Sequence, residues 1–386
     1  MRSIDARAAA RGLRQLIESE AEATEDGSTM TDTVVAAIDD AGLFGLLVPT
    51  ELGGLESDPA TIIDVCEELS YADGATGWAY AQNTTVGAYS AYLDLEYAAP
   101  LASARAAAGM FAPLGTAEEV DGGYRISGSY KFGSGSGHAD YMGGSALVTR
   151  DGEIIGIDDG VMPVIGFIIP TDRVEMRGNW DVMGLRGTGS YDFDVPEQFV
   201  ESGATWWIFP PAIAPSVSGG SLYGLGAVVV GTISSVAWAI GVAQRALDEV
   251  AEIARAGRAR LGSDPLAEQM IFQRGLGLHT TAVEGARVLA KHSYTAAMQA
   301  VDDGVDDDEF HQRIRATKAV ATYVTEVAKA ATTFAWESSG SAGMRNPSVL
   351  QRCFRDMYVG SGHQVFDQRN YIEVAKATLG LDLAGF

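Results

Sequence analysis

The spacing of apolar residues changes twice along this 386-residue chain, and that order of segments limits the fold more than any other feature. Up to about Leu101, apolar residues recur every three or four positions, as in amphipathic helices. Residues 109 to about 211 contain short alternating runs and the turn pairs Asp121-Gly122 and Asp151-Gly152, which predict strands and hairpins. Helical spacing returns after a Pro210-Pro211 linker. The sequence therefore predicts an α+β fold with an N-terminal helical domain, a central β-barrel or sheet domain and a C-terminal four-helix bundle.

We expect these three domains to span residues 1–105, 106–215 and 216–386. Four long runs of helical spacing predict the helices of the bundle, near 222–256, 265–303, 308–338 and 347–378. Residues 1–25 have helical spacing without an apolar signal core, so they predict an amphipathic first helix. The most apolar stretch, Leu222 to Ala243, contains Gly, Ser, Thr and Trp and continues into a charged helix. It therefore predicts a buried helix rather than a membrane span.

Charge and cysteine content exclude several classes of function. The chain has 27 Lys and Arg against 51 Asp and Glu, a formal net charge of −24, so its surface would repel nucleic acids and anionic membranes. The two cysteines, Cys66 and Cys353, lie far apart and outside any Cys/His cluster, so we expect neither a metal site nor a redox pair. We expect both thiols to be buried in a protein of the reducing cytoplasm.

The N-terminal region carries a combination of motifs that is more specific than any one of them. Residues 41–49 read AGLFGLLVP and are followed by Glu51-Leu52-Gly53-Gly54, and later by Asp73-Gly74-Ala75-Thr76-Gly77-Trp78. With the strand and helix motifs described below, they resemble the acyl-CoA dehydrogenase superfamily over nearly the whole chain. The resemblance implies the three-domain fold expected above and a flavin cofactor, either FAD or FMN.

The first motif of the β-domain, Gly128 to Gly135, is similar to the strand on which the superfamily lays the flavin ring. A flavin ring requires a flat apolar face beside it and a hydroxyl or N–H directed at its N5/O4 edge. Phe132 and Ser134 are two positions apart, so on a regular strand they would share one face. We therefore expect Phe132, Ser134 and Gly135 to bind flavin, and an ordinary hairpin strand is the alternative.

The second motif of the β-domain, Trp180 to Asp192, contains Gly-Leu-Arg-Gly-Thr-Gly-Ser. Dehydrogenases of the superfamily have a similar stretch, but the Gly-Thr-Gly-Ser form resembles its flavin-dependent monooxygenases. Glycines on both sides of a threonine allow hydroxyl and amide donors to approach a flavin or its phosphate closely. The resemblance thus implies that Arg186, Thr188 and Ser190 bind the cofactor.

The bundle has two further motifs. Arg258 and Gln269 resemble positions at which the superfamily binds the flavin pyrophosphate of a neighbouring subunit, and a guanidinium suits phosphate oxygens. Residues 338–343 and 350–356 resemble the loop and Arg-Asp helix that hold the cofactor across a subunit interface, which implicates Arg355 and implies a homotetramer. The alternatives are a solvated basic turn at 255–260 and structural ion pairs for Arg352 and Arg355.

This chain has a histidine near one of the positions where dehydrogenases of this superfamily have their catalytic glutamate. They place a catalytic glutamate at one of two positions, which by spacing correspond here to Gly360–His363 and to Gly231-Thr232, and neither contains a carboxylate. We expect His363 to act in oxygen activation or substrate deprotonation, with Asp367 orienting its ring from one helical turn away. A structural histidine is the alternative. His138, in a motif similar to that of the hydroxylases, is expected to be a turn residue near the flavin.

The sequence favours one function and leaves two others open. The leading hypothesis is a monooxygenase that hydroxylates a small aromatic or amine substrate with O₂ and reduced flavin. A separate reductase would supply the flavin, since no Gly-x-Gly-x-x-Gly unit for NAD(P)H is evident. The alternatives are an acyl-CoA dehydrogenase with bound FAD and a non-catalytic flavin-binding homologue. Where related hydroxylases often have a histidine after Gly77-Trp78, this chain offers Asn83, Thr84 and Thr85.

Overall fold

Helices at both ends of the chain enclose a central sheet in a computed structural model that describes residues 4–155, 162–209, 216–259 and 261–381. The N-terminal helices are α1 (Ala6–Gly27), α2 (Asp32–Asp40), α3 (Pro59–Ala72), α4 (Gly74–Ala88) and α5 (Leu95–Ala102). The predicted amphipathic first helix is confirmed. Asp5 caps α1 by accepting a hydrogen bond of 3.0 Å from the backbone N of Ala8, and the helix buries a face that includes Ile17.

Helix α4 lies in the interior of the molecule. Of its residues, Gln82 alone is not buried, so the helix has no solvent-facing side. It packs closely on α3 at Gly77, where a Cβ atom would come within 2.4 Å of the Cα atom of Ser70. Because every face of α4 is covered, its polar residues must find partners inside the protein.

The strands form one eight-stranded sheet within the described residues, with β6-β7-β2-β1-β3-β5-β8 in order and β4 beside β3. Their bounds are β1 (Ala107–Val120), β2 (Gly123–Gly133), β3 (Tyr141–Arg150), β4 (Glu153–Ile154), β5 (Val164–Pro170), β6 (Glu175–Met176), β7 (Tyr191–Glu201) and β8 (Thr205–Trp207). Strands β1 and β3 pair in parallel and the other pairs are antiparallel. The two predicted turns join β1 to β2 and β3 to β4, where Gly122, Asp151 and Gly152 have positive φ angles.

The C-terminal helices are α6 (Ser221–Gly224), α7 (Ala227–Arg255), α8 (Met270–Asp303), α9 (Asp307–Ser339), α10 (Val349–Gly360) and α11 (Arg369–Thr378). Three predicted bundle helices correspond to α7, α8 and α9. The prediction of a fourth continuous helix over 347–378 is wrong, because this segment is divided into α10 and α11. The chain leaves helical geometry after Gly360, and His363 has extended dihedral angles of φ −68° and ψ 139°.

The apolar stretch from Leu222 to Ala243 lies in α6 and the first half of α7. Helix α7 is long and apolar enough to cross a membrane, but 83% of its most apolar 18-residue window is buried inside this chain. The prediction of a buried helix is confirmed. Large exposed apolar side chains occur instead along α8: Met270, Ile271, Leu278, Val288 and Leu289.

The fold class predicted from the sequence is confirmed, with helices, a central sheet and further helices in that order. The domain boundaries stay predictions, and both the Pro210-Pro211 linker and the boundary at 215/216 fall on or beside residues 210–215, outside the described part. Cys66 and Cys353 are free and buried, as expected, and burial raises the pKa of each thiol to about 12.

Candidate active site

Trp78 of α4 lies at the junction of the three parts of the fold. Its indole Nε1 donates a hydrogen bond of 3.1 Å to Ser134 Oγ in the β-domain. Its ring lies 5.5 Å from the imidazole of His363 and 4.8 Å from the indole of Trp238 on α7, centroid to centroid. One buried side chain therefore contacts the predicted flavin-binding motif of the β-domain and the catalytic candidate of the bundle.

Close packing in the bundle brings His363 to this position. A Cβ atom on Gly360 would lie 2.2 Å from the ring of Trp238, so only glycine lets the end of α10 pack on that indole. Trp238 is itself fixed, because its Nε1 donates a hydrogen bond of 2.8 Å to the carbonyl oxygen of Gly74 at the start of α4. Gly360 thus sets the distance between α10 and α4, and His363 follows three residues later.

His363 is held in one tautomer. Its Nδ1 accepts a hydrogen bond of 3.3 Å from the backbone N of Val365. Burial lowers the pKa of His363 to about 4, so the imidazole is neutral at pH 7. With the Nδ1 lone pair engaged by an N–H group, the single ring proton must be on Nε2. The side chain is therefore a neutral N–H donor at Nε2.

The expectation that Asp367 orients His363 is wrong. Asp367 Oδ1 accepts a hydrogen bond of 2.8 Å from the backbone N of Arg369, and its other oxygen forms an ion pair with the Arg369 side chain. The physical reason is the break in the predicted helix: residues 364–366 form a short 3-10 turn. Residues four apart face each other only on a continuous α-helix.

Phe132 and Ser134 do not share a face, so that expectation is also wrong. The ladder between β2 and β7 shifts register between Tyr130 and Gly133, and Phe132 has a φ angle of +63°. This irregularity breaks the alternation of a regular strand. As a result Ser134 is 6% exposed, whereas Phe132 is 54% exposed and lies 6.1 Å from the Trp180 ring, centroid to centroid.

The two glycine-rich motifs of the β-domain meet through their hydroxyl groups. Ser134 Oγ lies 2.8 Å from Ser190 Oγ, and Ser190 Oγ lies 2.6 Å from Thr188 Oγ1. The backbone N of Gly135 donates a hydrogen bond of 2.8 Å to the carbonyl oxygen of Thr188. Four residues that sequence motifs predicted separately are thus in one buried cluster beside Trp78.

A second polar pair lies in the same region. Asn83 Nδ2 donates to the carbonyl oxygens of Ala107 at 2.8 Å and Gly135 at 3.5 Å, so Asn83 Oδ1 is the atom that accepts the hydrogen bond of 2.8 Å from His138 Nε2. Burial, helped by the charge of Arg105, lowers the pKa of His138 to about 4. Its Nδ1 is consequently an acceptor, and within the described residues it has no hydrogen-bond partner.

Arg186 and Arg355 are ion-paired within the chain. Both guanidinium groups face Glu25 of α1, at 3.5 Å from Arg186 and 2.7 Å from Arg355. Arg355 also donates a hydrogen bond of 2.8 Å to the carbonyl oxygen of Met183. The ion pairs of Glu25 with Arg186 and Arg355 connect α1, the second β-domain motif and α10. The remaining predicted cofactor residues, Arg258 and Gln269, lie in the bundle.

Comparison with known protein families accounts for this arrangement. The family model "Acyl-CoA dehydrogenase, N-terminal domain" matches residues 5–94, and the family model "Acyl-CoA dehydrogenase, C-terminal domain" matches residues 233–368. Together these matches cover more than half of the chain, and they include Trp78 and His363. The chain belongs to the acyl-CoA dehydrogenase superfamily.

Relatives within the superfamily have oxygenase names. The chain is 29% identical to indole-3-acetate monooxygenase of Pseudomonas putida over 344 residues, which cover 88% of this chain and 84% of the relative. It is also 29% identical to the flavin-dependent monooxygenase oxygenase subunit HsaA of Mycobacterium tuberculosis, covering 95% of this chain and 93% of the relative. Its fold matches that of 3-HSA hydroxylase from Rhodococcus sp. RHA1 with a TM-score of 0.89 and 22% identity, over 99% of both chains.

The residues present fit the flavin of this superfamily. Arg258, Gln269 and Phe272 line a cavity of about 210 Å³ in the bundle. Arg258 donates a hydrogen bond of 2.9 Å to Ser341 Oγ, and no described carboxylate forms an ion pair with it. In a chain with a net charge of −24, an arginine without a carboxylate partner beside a cavity suits a phosphate group. In the β-domain, the exposed ring of Phe132 offers a flat apolar face for the flavin ring.

Trp78 is the site residue that the sequence did not single out. A tryptophan at helical spacing is usually a core residue, so the sequence alone shows Trp78 only as part of a motif. One signal was available in the sequence. Helix α4 has no polar face, and it contains Asn83, Thr84 and Thr85 among apolar and small residues. Polar residues in a helix that is buried on every side indicate a site in the interior.

Proposed function

We propose that this protein is the oxygenase component of a two-component flavin-dependent monooxygenase that hydroxylates a small aromatic substrate. The overall reaction takes reduced flavin, O₂ and substrate R–H to oxidised flavin, R–OH and water. The flavin supplies the two electrons that reduce one oxygen atom to water. The chain's own residues bind the flavin and the substrate, exclude water and place one proton.

One observation carries this proposal: the polar group beside Trp78 is a neutral imidazole, that of His363. Dehydrogenases of the superfamily need a carboxylate to remove a proton from the substrate. Of the two positions that would supply one, the first ends in His363. The second holds Thr232, which is buried and accepts a hydrogen bond of 2.8 Å from the hydroxyl of Tyr294. His363 therefore offers an N–H donor where a dehydrogenase would have a base.

The role of His363 follows from its tautomer. Its Nε2–H can donate to an oxygen atom of the reacting flavin or of a phenolic substrate. It cannot accept a proton at Nε2 while Nδ1 accepts from the backbone of Val365. Between the two roles expected from the sequence, the geometry favours a hydrogen bond donated by Nε2–H to the reacting oxygen over substrate deprotonation.

The names of the relatives support an aromatic substrate. One is an indole-3-acetate monooxygenase, and a second is an oxygenase subunit. The environment of His363 agrees with this class, because the indole of Trp78 lies beside it, with Trp238 packed on Trp78, and an aromatic ring packs well against such edges. An amine substrate remains the second candidate of the sequence prediction.

The reduced flavin, FAD or FMN, would come from a separate reductase, and the active form would be a homotetramer in the cytoplasm. The exposed apolar side chains of α8 support the tetramer, because a row of such residues marks an interface. Arg258 and Gln269 lie on the same part of the bundle, at the start of α8 and the loop before it. In the tetramer, Arg258 and Gln269 would then donate hydrogen bonds to the flavin pyrophosphate of a neighbouring subunit.

The test is to supply reduced flavin without its reductase. The protein is mixed anaerobically with chemically reduced FAD or FMN and an aromatic substrate such as indole-3-acetate or a phenol, and oxygen is then admitted. Hydroxylated product in proportion to the flavin added supports the proposal. Release of only hydrogen peroxide with every substrate, together with bleaching of bound FAD by an acyl-CoA without oxygen, would favour a dehydrogenase.

A further inference from the structure

The hydroxyl groups beside Trp78 form a chain of four hydrogen bonds. Trp78 Nε1 is 3.1 Å from Ser134 Oγ, which is 2.8 Å from Ser190 Oγ, which is 2.6 Å from Thr188 Oγ1. Thr188 Oγ1 is in turn 2.8 Å from the carbonyl oxygen of Leu185. All three hydroxyl groups are buried, so their protons have few alternative acceptors.

The two ends of the chain fix the direction of every bond. A carbonyl oxygen can only accept, so the hydroxyl proton of Thr188 must point to Leu185. Thr188 then has no proton for Ser190, and Ser190 must donate to Thr188. By the same reasoning Ser134 must donate to Ser190. At the other end an indole N–H can only donate, so Ser134 accepts from Trp78.

This order leaves Ser134 without a free proton. Its hydroxyl proton is directed at Ser190, and one of its two lone pairs is engaged by Trp78. The remaining lone pair can accept one more hydrogen bond. Toward any further ligand, Ser134 is therefore an acceptor and not a donor.

The oxidation state of a flavin decides whether it can use such an acceptor. Reduced flavin has a proton on N5 and donates there, whereas N5 of oxidised flavin has only a lone pair. We propose that Thr188 is a positioning residue: through Ser190 it holds Ser134 as an acceptor, so that Ser134 pairs with N5–H of reduced flavin and opposes N5 of oxidised flavin. This inference rests on the proposed function and on the sequence prediction that Ser134 faces the N5 edge of the flavin.

Thr188 does not need to touch the flavin in this role. It is fully buried, and its carbonyl oxygen and hydroxyl group are engaged by Gly135 and Leu185. Thr188→Val keeps the shape of the side chain and removes only the hydroxyl. The carbonyl oxygen of Leu185 keeps a donor, because Trp180 Nε1 also lies 3.0 Å from it. Without Thr188 Oγ1, Ser190 can turn its proton to Ser134, and Ser134 becomes free to donate to oxidised flavin.

The experiment measures the dissociation constants of oxidised and of chemically reduced FAD and FMN, both without oxygen, for the wild type, Thr188→Val and Ser190→Ala. Thr325→Val is the matched control, since Thr325 is a buried threonine whose hydroxyl donates to the helix carbonyl oxygen of Ala321 in α9. The wild type should bind the reduced form more tightly. The ratio compared is the dissociation constant of the oxidised flavin divided by that of the reduced flavin. Both test variants should lower this ratio by about 3- to 10-fold, the scale of one hydrogen bond, while Thr325→Val leaves it unchanged.

The outcomes separate the inference from the function on which it rests. A ratio that is unchanged in both variants, or changed equally in Thr325→Val, overturns the role of Thr188 while the proposed function stands. Equal affinity of the wild type for both forms also overturns it. If the wild type binds neither form of either flavin, the proposed function fails and the inference fails with it. A variant that only loses stability would bind both redox forms of the flavin more weakly, and the ratio of their dissociation constants would not change.

Discussion

The imidazole of His363 lies edge-to-face against the indole of Trp78, with ring centroids 5.5 Å apart and ring planes at 67°. The contact joins α4 to the loop after α10, two segments separated by most of the chain. Because an apolar ring covers the imidazole, its charged form is disfavoured, and the pKa falls to about 4. The same contact therefore positions the histidine and keeps it neutral.

We predict that His363→Ala lowers product formation per reduced flavin by roughly 10²-fold or more, the usual scale for the loss of a hydrogen-bond donor to the reacting oxygen. Hydrogen peroxide release should rise in compensation, since reduced flavin still reacts with oxygen. His363→Gln should recover part of the yield, because its amide places an N–H near the position of Nε2. Product and peroxide are measured on the same samples.

Flavin affinity and thermal stability are measured alongside, with His292→Ala as a control because His292 is an exposed histidine of α8. The catalytic role requires that His363→Ala resemble the control in both properties. A variant that loses about 1–3 kcal/mol of stability but remains fully coupled would instead identify a structural hydrogen-bonded histidine.

The ring-binding prediction concerns Ser134 and Phe132. Ser134→Ala should weaken flavin binding by about 0.5–1.5 kcal/mol through loss of one hydrogen bond, and Phe132→Ala somewhat more through loss of an aromatic contact. Titration with reduced flavin measures both. Ser129→Ala is the control on the same strand, since the Ser129 hydroxyl bonds Asp194 at the surface. Unchanged affinity in both variants would place the ring elsewhere.

We predict a homotetramer. The apolar helix α7 is mostly covered by its own chain and therefore does not supply the interface. The structural argument is α8, where Met270 is 82% and Ile271 is 88% exposed. Ile271→Glu should dissociate the assembly in light scattering at micromolar concentration, because it would bury a charge. Leu95→Glu, on the exposed α5, should not. A monodisperse wild-type monomer would contradict the prediction.

The pH dependence of stability should report Asp356. This buried carboxyl accepts a hydrogen bond of 2.6 Å from the backbone N of Leu185, and burial, with the charge of Asp73, raises its pKa to about 7. Since its folded pKa exceeds its unfolded value, the folded state binds the extra proton between about pH 4 and 7, and stability falls as pH rises through that window.

Asp356→Asn keeps the acceptor for Leu185 and removes the titration. We expect the variant to gain stability relative to the wild type as pH rises from 5 to 7, by at most about 1.4 kcal/mol per pH unit. Urea unfolding at several pH values measures this. The control is Asp367→Asn, at a partly exposed carboxyl whose pKa is lowered by Arg369, so that it changes stability only below its unfolded pKa of about 4 and not between pH 5 and 7. A pH-independent difference for Asp356→Asn would contradict the assignment.

The sequence by itself determined those features that depend on neighbours along the chain. Helical spacing identified α1 and α7, the Asp-Gly pairs identified the two hairpin turns, and the glycine-rich motifs identified Ser134, Gly135, Thr188 and Ser190 as residues of one region. Each of these follows from local geometry: side-chain periodicity, or the dihedral angles that glycine and aspartate tolerate. The roles in flavin binding came from the family resemblance and stay predictions.

Only the tertiary structure decided how the side chains of that region are directed. Phe132 has a positive φ angle because β2 shifts its register against β7, and no residue near it in sequence signals that shift. His363 reaches Trp78 because Gly360 packs on Trp238, a contact across 122 positions of the chain. The direction of the Ser134 hydroxyl depends on a carbonyl oxygen at Leu185 and an indole at Trp78. Such features are set by contacts between distant segments, and local spacing contains no information about them.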